Sequence, residues 1–423
     1  MGKPFEKTTQ VINEFAKPAL EFLRALDDED MKLQAKSLEG TVERLEDLTE
    51  AASNPEKRVA LFEWGLTPQL FYAFDCLPLA METFPYLFSA TQKQVVHEFL
   101  EAAESSGLPS DVCSTDRFLV GAALSGEFPK NAFFVSCAGP CDGTRIAYPI
   151  MQKALGVPTL FLELPFTYER ESARWYGRQI RTELIPFLEE VTGKKFDLER
   201  FREIIEESNR AYELMLDVYD TYTTTPMPVP SSLRGSPWMV FISDAGHPRA
   251  TKSIQMFHAE VMRRLKEGIP NPIEEKHRVI WGHVQPYFDP LLLPWMEQEL
   301  KVSVITSMLT GSPILRPIDT SSEETMFEGY AWQGLDMTMS LMRFDSRKIL
   351  EYTMKLYNQY RCDSVIFTQH VGCNSICGAG GIMRRYFQKE GIPALFLELD
   401  YVDDRIVSAE NLKNQIEEFF STI

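Results

Sequence analysis

An internal repeat constrains the fold of this 423-residue chain more than any other feature. The segments GVPTLFLELPF (156–166) and GIPALFLELDY (391–401) are identical at 7 of 11 positions. Each copy follows a Cys-x-x-x-Cys pair, and the second cysteine of the pair precedes the copy by 15 residues in the first case and by 14 in the second. We therefore expect two units with the order strand, cysteine loop, helix and strand, one in each of two related domains.

Short apolar runs alternate with helical stretches from about residue 70 to the end of the chain. Near-continuous apolar runs are typical of strands buried on both faces, and their alternation with helices indicates parallel sheets. We predict an α/β fold with two similar parallel-sheet domains, of Rossmann or flavodoxin-like type, that face a central cleft. The runs predicted as strands are LFYAFDC, NAFFVSCAGPC, PTLFLELPF, PWMVFISDAG, HRVIWGH, KVSVITSML, DSVIFTQHVGC and PALFLELD.

Composition divides the chain into three parts. Residues 1–65 carry apolar positions at helical spacing and are predicted as a helical N-terminal segment. The proline-rich stretch TYTTTPMPVPSSLRGSPW at 221–238 disfavours regular structure, so we place a boundary within it. The prediction is a first α/β domain at 66–225 and a second at 226–423.

The charge balance excludes several classes of partner. Lys plus Arg number 43 and Asp plus Glu number 61, so the formal net charge is −18. Binding to nucleic acid or to an anionic membrane requires basic surfaces, and we predict neither. No apolar run reaches the roughly 18 residues of a membrane span, and the N-terminus lacks the apolar core of a signal peptide. We expect a cytoplasmic protein, in which thiols stay reduced.

Six of the seven cysteines are candidate ligands, because loops at the carboxyl ends of parallel strands form the binding crevice of such folds. Cys76 ends the predicted strand LFYAFDC, and Cys113 precedes a predicted helix. Cys362 stands alone before a strand and is interpreted as a small buried hydrophobe. The six candidates are Cys76, Cys113, Cys137, Cys141, Cys373 and Cys377.

Thiolates bind soft metals, namely zinc, copper(I) or iron–sulfur clusters. Structural zinc sites use cysteines close together in a small module, whereas the two pairs here are 232 residues apart. The loops SCAGPCDGT and GCNSICGAGG are rich in glycine, so their backbone can approach a cluster and offer N–H groups to sulfide. The residues favour an iron–sulfur cluster and leave zinc as the alternative.

These loops resemble those of the 2-hydroxyacyl-CoA dehydratases and benzoyl-CoA reductases. The resemblance rests on CDGTRIAYPI after a buried strand and on HVGCNSICGAGG followed by IMRRYFQKEGIPALFLELDYVDDR. It implies two α/β domains around a [4Fe–4S] cluster that three cysteines hold, with one iron left open. By motif, those three ligands correspond to Cys113, Cys141 and Cys373.

Three additional thiols resemble the pattern of the double-cubane cluster proteins, a branch of that family. Cys76, Cys137 and Cys377 are as many ligands as a second cubane needs. The resemblance implies an [8Fe–9S] cluster, two [4Fe–4S] units bridged by sulfide, in a homodimer. It implies low-potential electrons from a separate ATP-hydrolysing iron–sulfur activator, and anaerobic reduction of small molecules such as acetylene, azide or hydrazine. The resemblance leaves open which thiols share a cubane.

Other residues bear on the partner and on proton supply. The phosphate loop GxxxxGK[ST] is absent from the sequence, so ATP hydrolysis is assigned to the activator. His370, three residues before Cys373, is the candidate proton donor, with a structural role at the strand end as the alternative. His247 and His283 also end strand-like runs and are weaker candidates.

Three other functions remain open. The first is a dehydratase or reductase subunit that acts on an acyl-CoA with a single [4Fe–4S] cluster, a heteromeric partner subunit and a CoA-sized pocket. It leaves Cys76, Cys137 and Cys377 unexplained. The second is a non-catalytic electron carrier or cluster-delivery protein, for which two α/β domains are larger than needed. The third is a zinc-stabilised binding protein, which would be colourless and stable in air.

Overall fold

A computed structural model describes residues 4–137, 141–269, 271, 273–307, 315–337 and 346–423. The N-terminal segment is mainly helical as far as Ser53, but the predicted range 1–65 also contains a strand, Val59–Phe62, that belongs to the first sheet. Its helices are α1 (Glu6–Val11), α2 (Lys17–Ala25) and α3 (Glu29–Ser53), with a π-helical turn at Ile12–Ala16. The Asp28 side chain caps α3, because it accepts a hydrogen bond from the backbone N–H of Met31.

The first sheet has four parallel strands in the order β2-β1-β3-β4. These strands are β1 (Val59–Phe62), β2 (Leu77–Ala80), β3 (Ala132–Ser136) and β4 (Thr159–Phe161). All four side chains of β1 are fully buried, as expected for a central strand covered on both faces. The helices of this part are α4 (Gln69–Ala73), α5 (Phe84–Ser89), α6 (Lys93–Ser105), α7 (Ser114–Leu124) and α8 (Asp142–Leu155).

Helices connect the first sheet to the second. They are α9 (Arg170–Gln179), α10 (Ile185–Thr192), α11 (Leu198–Asp220), α12 (Ser236–Asp244) and α13 (Pro248–Glu267), with a π-helical turn at Ile180–Leu184. The proline-rich stretch forms two short 3₁₀ turns, Thr221–Thr223 and Ser231–Leu233, before α12 begins. No helix in the described part of the chain is long and apolar enough to cross a bilayer.

The second sheet repeats the order of the first. Its parallel strands are arranged as β6-β5-β7-β8, with β5 (His277–Gly282), β6 (Val302–Ser307), β7 (Ser364–His370) and β8 (Ala394–Leu399). The repeated segments of the sequence form β4 and β8, which occupy the same position in the two sheets. The predicted fold of two similar parallel-sheet domains is therefore confirmed. The helices here are α14 (Leu292–Leu300), α15 (Glu323–Asp336), α16 (Ser346–Gln359), α17 (Asn374–Glu390) and α18 (Ala409–Thr422).

Two of the predicted strands are wrong. The run LFYAFDC contains helix α4, and Cys76 therefore precedes strand β2 instead of ending a strand. The run PWMVFISDAG belongs to α12, which begins with Pro237 in its first turn, a position that suits proline. Both errors have one cause: in a short, fully buried apolar run, periodicity does not distinguish a strand from a helix. The predicted runs also do not include β1 or β2.

The carboxyl ends of strands from both sheets meet around one buried cavity. Because all strands within each sheet are parallel, the residues that end or follow them lie at one edge of that sheet. Six strands, three from each sheet, place residues around the cavity at their ends or within a few positions after them. These residues include Trp64 after β1, Glu82 after β2, Cys141 after β3, His283 after β5, His370 at the end of β7 and Tyr401 after β8. This cavity is where we place the functional site.

Candidate metal centre

Three cysteines line the cavity, and each is the N-cap residue of a different helix. Cys113 precedes α7, Cys141 precedes α8 and Cys373 precedes α17. At none of the three does a side chain cap the first turn. Three helix dipoles therefore direct their positive ends toward the cavity, which suits an anionic group bound between the thiols.

Small residues allow the cysteine loops to approach one another. Gly372 has φ +86°, and a Cβ atom at this position would lie 2.9 Å from the backbone nitrogen of Cys113. A Cβ atom on Gly143 would overlap the carboxylate of Asp116. Gly372 is therefore needed because the two halves of the chain pack closely there, and Gly143 is needed because helices α7 and α8 approach each other within the first half.

Burial keeps the three thiols protonated. Burial raises the pKa of Cys373 to about 11. It raises the pKa of Cys113 and that of Cys141 well above the usual range, and the negative charge of Asp116 is the second cause at each of these two thiols. A protonated, buried thiol is a poor nucleophile, whereas a bound metal deprotonates a thiol outright. Three convergent thiols at three helix N-termini therefore fit a thiolate-ligated metal group better than a free catalytic cysteine. A set of three leaves one position of a [4Fe–4S] cluster without a protein thiolate.

Cys137 lies elsewhere, although it precedes Cys141 by only four residues. Its side chain is completely buried, and its sulfur lies 3.1 Å from the hydroxyl oxygen of Tyr176. Its backbone N–H donates to Glu63 at 2.7 Å, and its side chain packs against Gly65. Cys137 is not among the residues that line the cavity.

Cys377 and Cys76 are also outside the cavity lining. Cys377 lies one turn into α17, is exposed, and its thiol donates to the carbonyl oxygen of His370 at 3.3 Å. Cys76 lies at the amino edge of the first sheet, about 13 Å from the carboxyl edge, given the rise of a four-residue strand. Burial raises its pKa to about 12. Of the six predicted ligands, Cys113, Cys141 and Cys373 line this cavity.

Two histidines face the same cavity. His370 lies at the end of β7, as predicted, with its Nε2 atom 3.4 Å from the sulfur of Cys113. His283 is 1% exposed, and neither ring nitrogen has a hydrogen-bond partner among the described residues. Burial lowers the pKa of both imidazoles, and His370 lowers that of His283 further. Both rings are therefore neutral at pH 7.

The backbone of His283 is strained. Its φ is +76°, in the left-handed region that residues other than glycine seldom adopt. Strain of this kind persists at functional sites because the surrounding structure enforces it. The sequence placed His283 at a strand end but contained no signal for this conformation. His247, the other weak candidate, caps α13 through an Nδ1 atom that accepts from the Arg249 N–H at 3.2 Å, which is a structural role.

Two buried carboxyl groups complete the polar lining, and the sequence analysis missed both. The pKa of Asp116 is raised to about 8, and the pKa of Glu82 is raised well above its usual range. In both cases burial is the larger cause and repulsion from Glu63 is the second. Glu82 accepts a hydrogen bond from the Trp64 N–H at 3.1 Å. The position of Asp116, three residues after Cys113 in SDVCSTDRF, is the one signal in the sequence that could have suggested it.

Aromatic side chains close the cavity on one side. Tyr86 and Tyr401 line it, and Tyr86 stacks on Tyr287 with ring centroids 4.2 Å apart. The hydroxyl groups of Thr115 and Tyr401 are hydrogen-bonded to each other. These rings exclude water from the thiols and lower the local dielectric constant, which strengthens electrostatic interactions within the site.

Comparison with known proteins gives one family. Residues 64–423 match the sequence model described as 2-hydroxyglutaryl-CoA dehydratase, D-component. The chain is 23% identical to a subunit of the benzoyl-CoA reductase of Thauera aromatica, over 94% of this chain and 95% of the relative. It is 20% identical to the (R)-2-hydroxyisocaproyl-CoA dehydratase alpha subunit of Clostridioides difficile, over 76% and 79%. Identity to the alpha subunit of (R)-2-hydroxyglutaryl-CoA dehydratase from Acidaminococcus fermentans is 20%, over 68% and 60%.

Proposed function

Since the chain belongs to the family of the 2-hydroxyglutaryl-CoA dehydratase D-component, we propose that it is one component of an iron–sulfur enzyme that acts on an acyl-CoA. In this proposal one [4Fe–4S] cluster is held by Cys113, Cys141 and Cys373. The reaction is a dehydration or a low-potential reduction, the two activities that the names of the relatives describe.

One observation carries the proposal: three thiols at the N-termini of three helices line a single buried cavity. The three cysteines are far apart in the sequence, so it is the fold that places them around the same cavity. When bound, such a cluster supplies low-potential electron transfer and one iron without a protein ligand. The protein supplies the three thiolates, the positive helix ends and the exclusion of water.

The other residues of the cavity act on the substrate in this proposal. His283 offers a neutral imidazole whose two nitrogens have no partner among the described residues, so it can donate one hydrogen bond and accept another. His370 holds its ring against Cys113 and Tyr401, where it orients the first cysteine loop. Trp64 and Tyr86 form the apolar wall against which a substrate packs.

The proposal includes two partners. All three of the relatives described above are named as subunits of an enzyme, which supports a second, different subunit for this chain. The electron donor is a separate ATP-hydrolysing iron–sulfur activator, as the resemblance of the loops implies. The homodimer with a double-cubane cluster, and its small substrates acetylene, azide or hydrazine, stay a prediction from resemblance. The positions of Cys76, Cys137 and Cys377 outside the cavity lining favour the single cluster.

The first experiment is an analysis of iron, acid-labile sulfide and zinc in protein purified without oxygen. The proposal expects about four irons and four sulfides per chain, the content of one cubane. About eight irons and nine sulfides would replace it with the double cubane, and zinc without iron would overturn both.

Activity is then measured with a panel of acyl-CoA thioesters, ATP and an activator of this family, with and without the candidate second subunit. Turnover that depends on ATP and on the thioester is expected. Turnover of acetylene or azide without any thioester turnover would overturn the proposed substrate class and support the small-molecule reductase.

A further inference from the structure

A second cavity, of about 220 Å³, lies next to the thiol site. It is bounded by α3, α12 and the residues around β2 and α5, and Tyr86 lines both this cavity and the one that holds the thiols. Its volume is far larger than a single water molecule requires. Neither the cysteine chemistry nor the family resemblance assigns a ligand to it.

Arg44 is the unusual residue of this cavity. It is 7% exposed, and its Nη2 atom donates to the carbonyl oxygen of Pro78 at 3.2 Å. Its Nε atom is buried without a hydrogen-bond partner, and no carboxylate among the described residues forms an ion pair with it. Burial lowers the pKa of its guanidinium, and the negative charge of Asp244, which does not form an ion pair with Arg44, opposes this shift only in part. A buried guanidinium that lacks an ion pair and leaves one N–H unsatisfied is costly, and an anion bound beside it would offset that cost.

The nearby carboxylates already have partners. Asp244 accepts two hydrogen bonds from Arg249, at 2.8 and 3.2 Å, and a third from the hydroxyl of Tyr72. Asp47 binds Arg249 at 2.5 Å, and its side chain is 44% exposed. Arg249 therefore forms ion pairs with two carboxylates, whereas Arg44 has no ion-pair partner within the described ranges of the chain.

The remaining walls define the ligand further. Six of the other lining residues are apolar and four are serine or threonine, and of the two arginines described in this cavity only Arg44 lacks an ion pair with a carboxylate. A single negative charge, with oxygens that accept hydrogen bonds, on a compact hydrocarbon body therefore fits best. A phosphate would bring up to two negative charges close to the carboxylate of Asp244, which also lines the cavity, whereas only one arginine described there lacks an ion pair. The apolar walls are Leu45, Leu79, Phe84, Leu87, Met239 and Val240.

We propose that this cavity is a binding site for a small organic monocarboxylate, with Arg44 as the residue that pairs with the carboxylate. The site does not depend on the identity of the metal centre, so the iron analysis and the binding experiment fail independently. Its position beside Tyr86 places the bound acid one side chain away from the thiol cavity.

The test is isothermal titration calorimetry of the purified full chain with 3-methylbutanoate. The neutral 3-methylbutanamide and inorganic phosphate are titrated in parallel. We expect the acid to bind at one site per chain, and we expect the amide and phosphate to bind at least about tenfold more weakly, because a hydrogen-bonded charge pair contributes that much. Equal binding of the amide, or stronger binding of phosphate, would overturn the proposal.

Variants locate the binding site. Arg44→Gln is expected to weaken binding of 3-methylbutanoate at least about tenfold, and Arg44→Lys is expected to weaken it less because the charge is kept. Arg24→Gln is the control, since Arg24 is 50% exposed in an ion pair on the surface. Met239→Phe narrows the cavity and leaves Arg44 in place, so it tests the site even if Arg44→Gln does not fold. Unchanged affinity in Arg44→Gln or in Met239→Phe would overturn the assignment.

Discussion

The sulfur of Cys113 lies 3.4 Å from the Nε2 atom of His370, although 257 residues separate them in the chain. Cys113 begins a helix in the first half of the fold, and His370 ends a strand of the second sheet. The contact therefore exists only when the two halves are packed together. It ties the first cysteine loop to the loop that carries Cys373.

Gly372→Ala tests that packing. A Cβ atom there would lie 2.9 Å from the Cys113 nitrogen, and φ +86° disfavours any side chain, so we expect a loss of about 1–3 kcal/mol in unfolding free energy and a lower iron content. Urea unfolding and iron analysis measure the two effects. Gly378→Ala is the matched control, because it lies in α17 with no atom within 4 Å of the added Cβ. Equal iron content in the two variants would contradict the close approach.

Serine substitutions separate one cluster from two. Cys373→Ser is expected to remove most of the iron, because it deletes one of the three thiolates in the cavity. Cys377→Ser and Cys76→Ser are expected to keep the iron content of the unmodified protein. The double-cubane hypothesis instead expects both variants to lose iron, so loss of about half the iron in either variant would support that hypothesis. Cys362→Ser serves as a control, since Cys362 is buried just before β7, at the amino edge of the second sheet.

His283→Asn tests the role of the strained histidine. Asparagine tolerates the left-handed backbone, so the fold and the iron content should stay unchanged. Loss of the imidazole is expected to lower kcat about 100-fold or more, the usual effect of removing a group that transfers or holds a proton. His258→Asn, at a half-buried position paired with Asp217, is the control. Full turnover in His283→Asn would show that the ring is structural.

Arg117→Met tests how the two halves are held together. Arg117 is 2% exposed and donates to the Val112 carbonyl at 2.9 Å, to Glu104 at 2.5 Å and to Asp403 at 3.4 Å. Its loss removes the donor to the Val112 carbonyl and the cation nearest to buried Asp400, whereas Glu104 and Asp403 keep their ion pairs with Arg405. Unfolding free energy should therefore fall by about 1–3 kcal/mol. Urea unfolding of cluster-free protein measures the change.

The control for that variant is Arg170→Met. Arg170 is 68% exposed in its ion pair with Glu328, and an exposed pair of this kind contributes less than about 1 kcal/mol. Similar losses in the two variants would mean that Arg117 does not hold the halves together.

Much of the architecture was predictable because it is local. The runs that form β3 to β8 are apolar, short and bounded by turn residues, and the repeated segment marked equivalent strands. The exceptions were α4 and α12, where burial on all sides removes the amphipathic pattern that distinguishes a helix. The misplacement of Cys76 followed from the first of these errors.

The candidate site was predictable only in part. Cys141 and Cys373 follow strands and begin helices, and these features can be read from neighbouring residues. The separation of Cys137 from Cys141 follows from the end of β3 and the start of α8, and nothing in their four-residue spacing revealed it. Asp116, Glu82 and Arg44 were missed because a buried charge is identified by its surroundings, which come from distant parts of the chain.

The sequence by itself determined most of the strands, the duplication and the residue types that can bind a soft metal, because these follow from composition and short-range pattern. Only the tertiary structure decided which thiols line one cavity, which histidine is strained and which buried arginine lacks an ion pair among the described residues. The reason is physical: ligation and charge pairing depend on distances of a few ångströms between segments far apart in sequence. Those distances are set by the packing of the two halves of the chain against each other.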